Sequence, residues 1–198
     1  MTDQQKSILN LFSLEGKTVI VTGGTGGLGA AMSIALAQAG ANIVSLQLPD
    51  DPLGKTFQEE IEKLHRQFSV FECNLTDPGS IREVFASMWA AGIVPDILLN
   101  CAGTNRRGKI EDISDEDINL VLDVNLKAAY IMSQEFGKQL LTLSRPGKII
   151  HVSSMASYIA QTNVSIYAIS KAGVRHMTKA LSNEWAGKGI QCNCICPG

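Results

Sequence analysis

Short apolar runs rich in β-branched residues alternate with longer stretches in which apolar residues recur at helical spacing. The strand-like runs lie at 17–23, 41–47, 68–73, 96–103, 147–154 and 190–196. Helical spacing covers 27–39, 54–67, 77–91, 114–143 and 165–187, and Ser114 provides an N-cap for the fourth helix. Strands that are apolar on both faces and alternate with helices predict an α/β domain, in which helices cover both faces of a doubly wound parallel sheet.

Composition narrows the class of protein. The 198 residues are 45% hydrophobic and 18% charged, which suits one soluble domain spanning 1–198. A net charge of -2 argues against a nucleic-acid partner, and no apolar run is long enough to cross a membrane. The start of the chain lacks a secretory leader, and five cysteines are an odd number. We therefore expect a reducing, cytoplasmic setting.

The first strand runs directly into the glycine-rich turn TGGTGGLG at 22–29, just before the first helix. Glycines at this point let the backbone approach a pyrophosphate, and the N-terminus of the helix provides free N–H groups. Two registers fit the turn. One uses Gly24, Gly26 and Gly29; the other uses Gly23, Gly27 and Gly29. Both registers predict a dinucleotide cofactor.

The end of the second strand bears on the choice between NAD and NADP. An acidic residue there would bind the adenosine 2′-hydroxyl, and a basic one would favour a 2′-phosphate. This chain has the neutral Gln47, followed by Asp50 and Asp51, with no Lys or Arg close by in sequence. The pattern favours NAD and does not exclude NADP. The alternative interpretation of Gln47 is a solvent-facing strand end.

Tyr167 and Lys171 stand four residues apart, so they share one face of the last predicted helix. A nearby ammonium favours the phenolate form, which lets a phenol act as general base on an alcohol or general acid on a carbonyl. Ser154 follows the fifth strand, at the edge of the sheet where ligands gather. A pair with this spacing on its own is more often a solvated pair on a helix face. Its place in a dinucleotide fold favours the catalytic interpretation.

These motifs, together with NCAG at 100–103, Asn125 in DVNLKAAY and the closing PG, resemble the short-chain dehydrogenase/reductase family from residue 14 to 198. The resemblance implies a single Rossmann-type domain that moves a hydride between a nicotinamide and a substrate carbon. It implies that Tyr167 is the acid/base and that Ser154 polarises the reacting oxygen. Lys171 would bind ribose and favour ionisation of the tyrosine, while Asn125 would hold a water that relays protons.

The resemblance also implies a cofactor site and an assembly. The residues that it places around the cofactor are Gly23, Thr25, Gly27, Leu28, Gly29, Gln47, Asn74, Leu75, Asn100, Ala102, Gly103, Tyr167, Lys171, Pro197 and Gly198. Members of the family pair their long helices, so a homodimer or homotetramer is expected. The chain stops after PG, where family members continue with a substrate lid and a seventh strand. We therefore expect the C-terminal part of the family fold to be absent from this chain.

Further segments resemble the sugar-acid group of the family, which acts on gluconate or deoxygluconates: FSLEGK near the start, AGTNRRG after strand four, and NEWA at 183–186. The expected substrate is accordingly a small-molecule sugar acid. Arg106 and Arg107 follow strand four, where a guanidinium could hold a carboxylate, and we predict a substrate contact for Arg106. The competing interpretation is a pair of solvated loop arginines.

The main alternative function is a catalytically silent nucleotide-binding or scaffold protein, because the C-terminal segment of the family is missing. A metal site is not expected. Cys192, Cys194 and Cys196 alternate along one strand, a spacing that suits packing against a helix better than zinc ligation.

Overall fold

The computed structural model describes residues 8–198. The first seven residues lie outside the described residues. The predictions that fall on them are the start of the 1–198 domain and the lack of a leader pattern. None of the helices described is both long enough and apolar enough to cross a bilayer.

Six parallel strands form the predicted sheet in the order β3-β2-β1-β4-β5-β6. The strands are β1 (Thr18–Thr22), β2 (Asn42–Gln47), β3 (Phe68–Glu72), β4 (Ile97–Asn100), β5 (Gly147–Val152) and β6 (Ile190–Ile195). Each lies within the run predicted for it. The order reverses between β1 and β4, so their carboxyl ends open a crevice, the position at which such sheets bind ligands.

The helices are α1 (Gly27–Gln38), α2 (Gly54–Lys63), α3 (Pro78–Ala90), α4 (Asp115–Leu122), α5 (Ala128–Thr142) and α6 (Ser165–Trp185). Ser114 caps α4 as predicted, because its hydroxyl oxygen accepts from the N–H of Asp117 at 3.1 Å. The prediction of one continuous helix over 114–143 was wrong in one respect. A π-helical segment, Asp123–Lys127, separates α4 from α5 and contains the buried Asn125.

Two apolar clusters hold helices against the faces of the sheet. The larger packs α3, α5 and α6 around fully buried side chains such as Phe85, Met132 and Phe136. The smaller packs α1 and α2 around Phe57 and Ile61. Burying side chains of this size contributes about 1.5–3 kcal/mol each to the free energy of folding. The strands and helices that form the crevice are therefore held by a well-packed core.

A polar network crosses the larger cluster. His151 on β5 is fully buried and lies 3.0 Å from the hydroxyl of Ser133 on α5, through Nε2. Its Nδ1 lies 2.9 Å from the hydroxyl of Thr178 on α6. Burial is the main reason that the pKa of His151 falls to about 4, and the positive charge of Lys171 adds to the effect. The imidazole therefore ties the two long helices to the sheet.

Candidate active site

Two adjoining cavities open at the carboxyl ends of the strands, with volumes of about 540 Å³ and 560 Å³. The first cavity lies beside the end of β2 and is lined by Gln47 and Asn74. The second cavity is lined by Ser154, Tyr167 and Lys171. Residues of the glycine turn and of the segment after β4 line both, so the two cavities form one continuous site along the crevice.

The glycine turn adopts one of the two registers that the sequence allowed. Gly23 and Gly27 have φ angles of +65° and +55°, a region that favours glycine. A Cβ on Gly29 would stand 1.9 Å from the carbonyl oxygen of Gly23. Gly26 is extended at φ −147°, a conformation open to other residues. The Gly23, Gly27, Gly29 register is therefore the one the backbone requires, and α1 begins within it, at Gly27.

The second cavity brings together the three side chains predicted to carry the chemistry. Ser154 lies two residues past the end of β5 as the N-cap of a short 3₁₀ turn, and its hydroxyl accepts from the N–H of Ala156 at 3.1 Å. Tyr167 and Lys171 lie one turn apart on α6, with the ammonium nitrogen 5.8 Å from the centre of the phenol ring. All three line the same wall, so a single bound molecule can touch each of them.

Lys171 is 4% exposed and donates to the carbonyl oxygen of Val152 at 2.8 Å. Burial lowers the pKa of Lys171 from its ordinary value. The hydroxyl of Ser153 donates to the carbonyl oxygen of Lys171 at 2.7 Å, which further ties α6 to β5. Cys101 also lines this cavity, and burial raises the pKa of its thiol, so the thiol stays neutral beside the ammonium.

Asn125 fastens the segment after β4 to the helices. Its amide oxygen accepts from the N–H of Thr104 at 2.7 Å. Its amide nitrogen donates to the carbonyl oxygen of Thr104 and to the hydroxyl of Ser170, both at 2.9 Å. A Cβ on Gly103 would meet the Lys171 ammonium at 3.2 Å and the Asn125 amide oxygen at 3.3 Å. The asparagine therefore fixes the loop beside the lysine, and its carboxamide has little capacity left for a water.

The first cavity is acidic at the end of β2. Thr25 of the glycine turn donates to the carboxylate of Asp51 at 2.8 Å. Asp50 and Asp51 both line the cavity, and within residues 8–198 no Lys or Arg does. The Gln47 amide accepts from the hydroxyl of Ser45 at 3.3 Å and packs on Gly54. The cavity offers hydroxyl-binding groups and no compensating charge for a phosphate.

Most of the residues predicted to form the site line one or both cavities. Within the part of the chain described, those that do not line either of the two are Gly27, Asn100, Asn125 and Arg106. Gly27 shapes the turn, Asn100 is buried and donates to the hydroxyl of Ser133 on α5, and Asn125 acts through Thr104.

Arg106 is placed differently from its expected role. Its guanidinium forms an ion pair with Asp117 at 2.9 Å and donates to the carbonyl oxygen of Asn105 at 3.0 Å. Its neighbour Arg107 lines the second cavity instead. The prediction that Arg106 contacts substrate stays a prediction, and the structure shows its guanidinium held by a carboxylate of α4.

Four further lining residues were absent from the predicted site: Cys101, Thr104, Asn105 and Arg107. Their position immediately after β4 could have identified them from the sequence, because ligands of a parallel sheet bind at the carboxyl ends of its strands. Within residues 8–198, no group of three or more His, Cys, Asp or Glu side chains is arranged to hold a metal ion.

Comparison with known proteins agrees with this arrangement. The family model of short chain dehydrogenases matches residues 17–198. The 2-dehydro-3-deoxy-D-gluconate 5-dehydrogenase of Pseudoalteromonas atlantica is 36% identical over 191 residues, covering 96% of this chain and 75% of its own length. The Bacillus subtilis enzyme of the same name is 38% identical over 187 residues, covering 94% of this chain and 72% of its own.

A solved structure has the same fold. The gluconate 5-dehydrogenase from Burkholderia cenocepacia J2315, in complex with NADP and tartrate, matches with a TM-score of 0.89 at 28% identity. The match covers 96% of this chain and 74% of that one.

Proposed function

Because the chain belongs to the short chain dehydrogenase family and is an NAD(P)-dependent oxidoreductase of CH–OH groups, we propose that it interconverts a secondary alcohol and a ketone on a sugar acid. The single observation that carries the proposal is the second cavity, in which Ser154, Tyr167 and Lys171 share a wall with Arg107. The relatives are named as dehydrogenases of gluconate or of a dehydro-deoxygluconate, which supports a sugar acid as the substrate.

Each side chain has a distinct part in the proposed reaction. The phenol of Tyr167 takes the alcohol proton in oxidation and returns it in reduction. The Ser154 hydroxyl hydrogen-bonds the same substrate oxygen and holds it against the phenol. The buried Lys171 ammonium lies 5.8 Å from the centre of the phenol ring and would bind the nicotinamide ribose beside it. The nicotinamide, when bound, supplies or accepts the hydride.

Asn125 is proposed as a positioning residue. Its carboxamide is engaged by Thr104 and Ser170, so a water that relays protons from Lys171 would bind elsewhere on this residue. The π-helical segment around it changes the helical hydrogen-bond pattern, and such segments occur frequently at functional sites. We assign the locking role to its side chain, and the relay water stays a prediction.

Arg107 is the proposed anchor for the substrate carboxylate. It is exposed and lines the second cavity, whereas Arg106 is held by Asp117. A guanidinium binds a carboxylate through two parallel hydrogen bonds, which would fix the acid end of the substrate at a set distance from Ser154 and Tyr167. In this proposal Arg107 binds the substrate carboxylate, and Arg106 stabilises the loop through its ion pair with Asp117.

For the cofactor we propose a preference for NAD over NADP. The carboxylates of Asp50 and Asp51 line the cavity that would receive the adenosine ribose. They would accept hydrogen bonds from a 2′-hydroxyl and would repel a 2′-phosphate. The Burkholderia relative was solved with NADP, so the proposed preference would distinguish this chain from that protein. Comparing kcat/KM for NADH and NADPH measures it.

The proposal is tested by Tyr167→Phe, with Tyr130→Phe as the matched control on the exposed face of α5. Oxidation of gluconate and reduction of 5-dehydrogluconate are followed through nicotinamide absorbance. We expect Tyr167→Phe to abolish turnover while cofactor still binds, and Tyr130→Phe to retain turnover. Cofactor binding by the wild-type protein without turnover of any sugar acid would support the silent nucleotide-binding alternative instead.

We also propose that the protein assembles as a homodimer or homotetramer in the cytoplasm. The exposed apolar side chains of Tyr130 on α5 and Ile169 on α6 support a packed helical interface, since water contact with such groups is unfavourable. Light scattering coupled to size exclusion measures the assembly directly, and a monomer at micromolar concentration would refute it.

A further inference from the structure

The loop after β4 carries an amide side chain that the proposed reaction does not use. Asn105 is half-buried and lines the second cavity together with Ser154 and Tyr167. Its carboxamide oxygen is shielded from solvent and accepts no hydrogen bond from the residues described. Nearly all buried polar side-chain atoms in folded proteins have a partner. Because this unpaired oxygen is shielded from solvent, we infer that a ligand partner meets it after the carboxamide turns towards the cavity that Asn105 lines.

The backbone around Asn105 is held firmly from both sides. Both main-chain groups of Thr104 are bonded by the Asn125 amide, at 2.7 Å and 2.9 Å. The carbonyl oxygen of Asn105 itself accepts from Arg106, whose guanidinium is fixed by Asp117. The side chain of Asn105 thus extends from a rigid support, which reduces the entropy lost when it binds a ligand.

The neighbours of Asn105 indicate what kind of group it meets. On the same cavity wall, Ser154 and Tyr167 are suited to hold a reacting oxygen, and Arg107 is suited to hold a carboxylate. An amide differs from both, because it carries a donor and an acceptor on adjacent atoms. A hydroxyl is also both donor and acceptor, so it can pair with either end of the amide. A bare methylene chain would leave the amide unpaired.

We propose that Asn105 hydrogen-bonds a hydroxyl of the substrate chain and thereby selects polyhydroxy acids over oxo acids that lack hydroxyls. The inference rests on the proposed function and deepens it, since it states which feature of the substrate is recognised besides the ketone and the carboxylate. Asn105 is on this basis a specificity-determining residue of the second cavity.

The test compares two substrates that differ in their hydroxyls. Both 5-dehydro-D-gluconate and 5-oxohexanoate are six-carbon acids with a ketone at the same carbon, and only the first carries hydroxyls. We expect Asn105→Leu, which keeps the approximate volume, to lower kcat/KM for 5-dehydro-D-gluconate by roughly five- to tenfold, the loss typical of one neutral hydrogen bond. For 5-oxohexanoate the same variant should stay within about twofold of wild type, because no hydroxyl is present to be lost.

Two further variants keep the test decisive. Asn183→Leu makes the same change on the exposed part of α6 and should leave both kcat/KM values unchanged. Asn105→Ala removes the amide without adding methyl groups, so it separates loss of the hydrogen bond from obstruction of the cavity. Equal losses on both substrates in Asn105→Ala, at an unchanged melting temperature, would overturn the inference while leaving the proposed function intact. Turnover of neither substrate by the wild-type protein would overturn both.

Discussion

The buried imidazole of His151 makes the stability of the fold depend on pH in a specific window. The pKa of His151 is about 4 in the folded protein, against an ordinary value of 6.5. Between these values the unfolded chain binds a proton that the folded chain does not, so the free energy of unfolding falls as pH falls. Stability from this source is complete above about pH 6.5, declines below that, and is fully lost only below about pH 4.

The size of the effect follows from the shift. A difference of about 2.5 pH units corresponds to about 3 kcal/mol in total, and linkage places about 2 kcal/mol of it between pH 7.5 and 5. His151→Gln retains hydrogen-bonding groups for Ser133 and Thr178 and cannot titrate. Wild type should therefore lose about 2 kcal/mol more than His151→Gln over this range. Urea denaturation at a series of pH values measures the difference.

Carboxylates elsewhere also titrate in this range, and comparison of variants removes their contribution. His176→Gln provides the matched control, because His176 is exposed on α6. This variant should keep the wild-type dependence on pH. Parallel curves for wild type and His151→Gln would refute the reasoning. The hydroxyls of Ser133 and Thr178 can each accept a hydrogen bond from the His151 ring. If the wild type gained stability on acidification, the two hydroxyls would be holding the ring in its protonated form.

Four other changes have defined outcomes. Gly29→Ala should abolish cofactor binding, measured by nicotinamide fluorescence, because its Cβ would stand 1.9 Å from the Gly23 carbonyl oxygen. Asp51→Asn should raise kcat/KM for NADPH relative to NADH by roughly fivefold, since about 1 kcal/mol of charge repulsion is removed; an unchanged ratio would contradict the proposed NAD preference. Arg107→Ala should lower kcat/KM for acidic sugars by roughly ten- to a hundredfold, as expected for a charged hydrogen bond, and leave neutral ketones unaffected. Arg106→Ala should mainly lower the melting temperature, and the reverse pattern would return the anchor role to Arg106.

The strand and helix pattern was predictable because each element buries a long apolar face. A strand such as β1 has β-branched residues at all five positions and is buried at four of them, as expected for a central strand of a parallel sheet. The position of Tyr167 and Lys171 followed from helical spacing alone. The relative placement of site residues was therefore predictable where a single element carries them.

Features that depend on several elements could not be predicted from spacing. Arg106 and Arg107 are neighbours, and only the carboxylate of Asp117, eleven residues further along the chain, distinguishes them. The two glycine registers are equally compatible with the letters, and the backbone angle at Gly27 decides between them. The π-helical segment was invisible because apolar positions continue through it without a Gly or Pro.

The π-helical segment, Asp123–Lys127, determines what a change of chain length at this point would do to the protein. Successive residues of an α-helix are separated by about 100° around its axis. A π-helical turn holds one residue more than an α-helical turn, so deleting one residue here would restore regular α-helix and leave Phe136 and Leu140 facing the sheet they cover. The same deletion would withdraw Asn125 from Thr104. The extra residue of this turn therefore serves the loop after β4 more than the core, so a single-residue deletion here should keep the fold and remove the contact that holds Thr104.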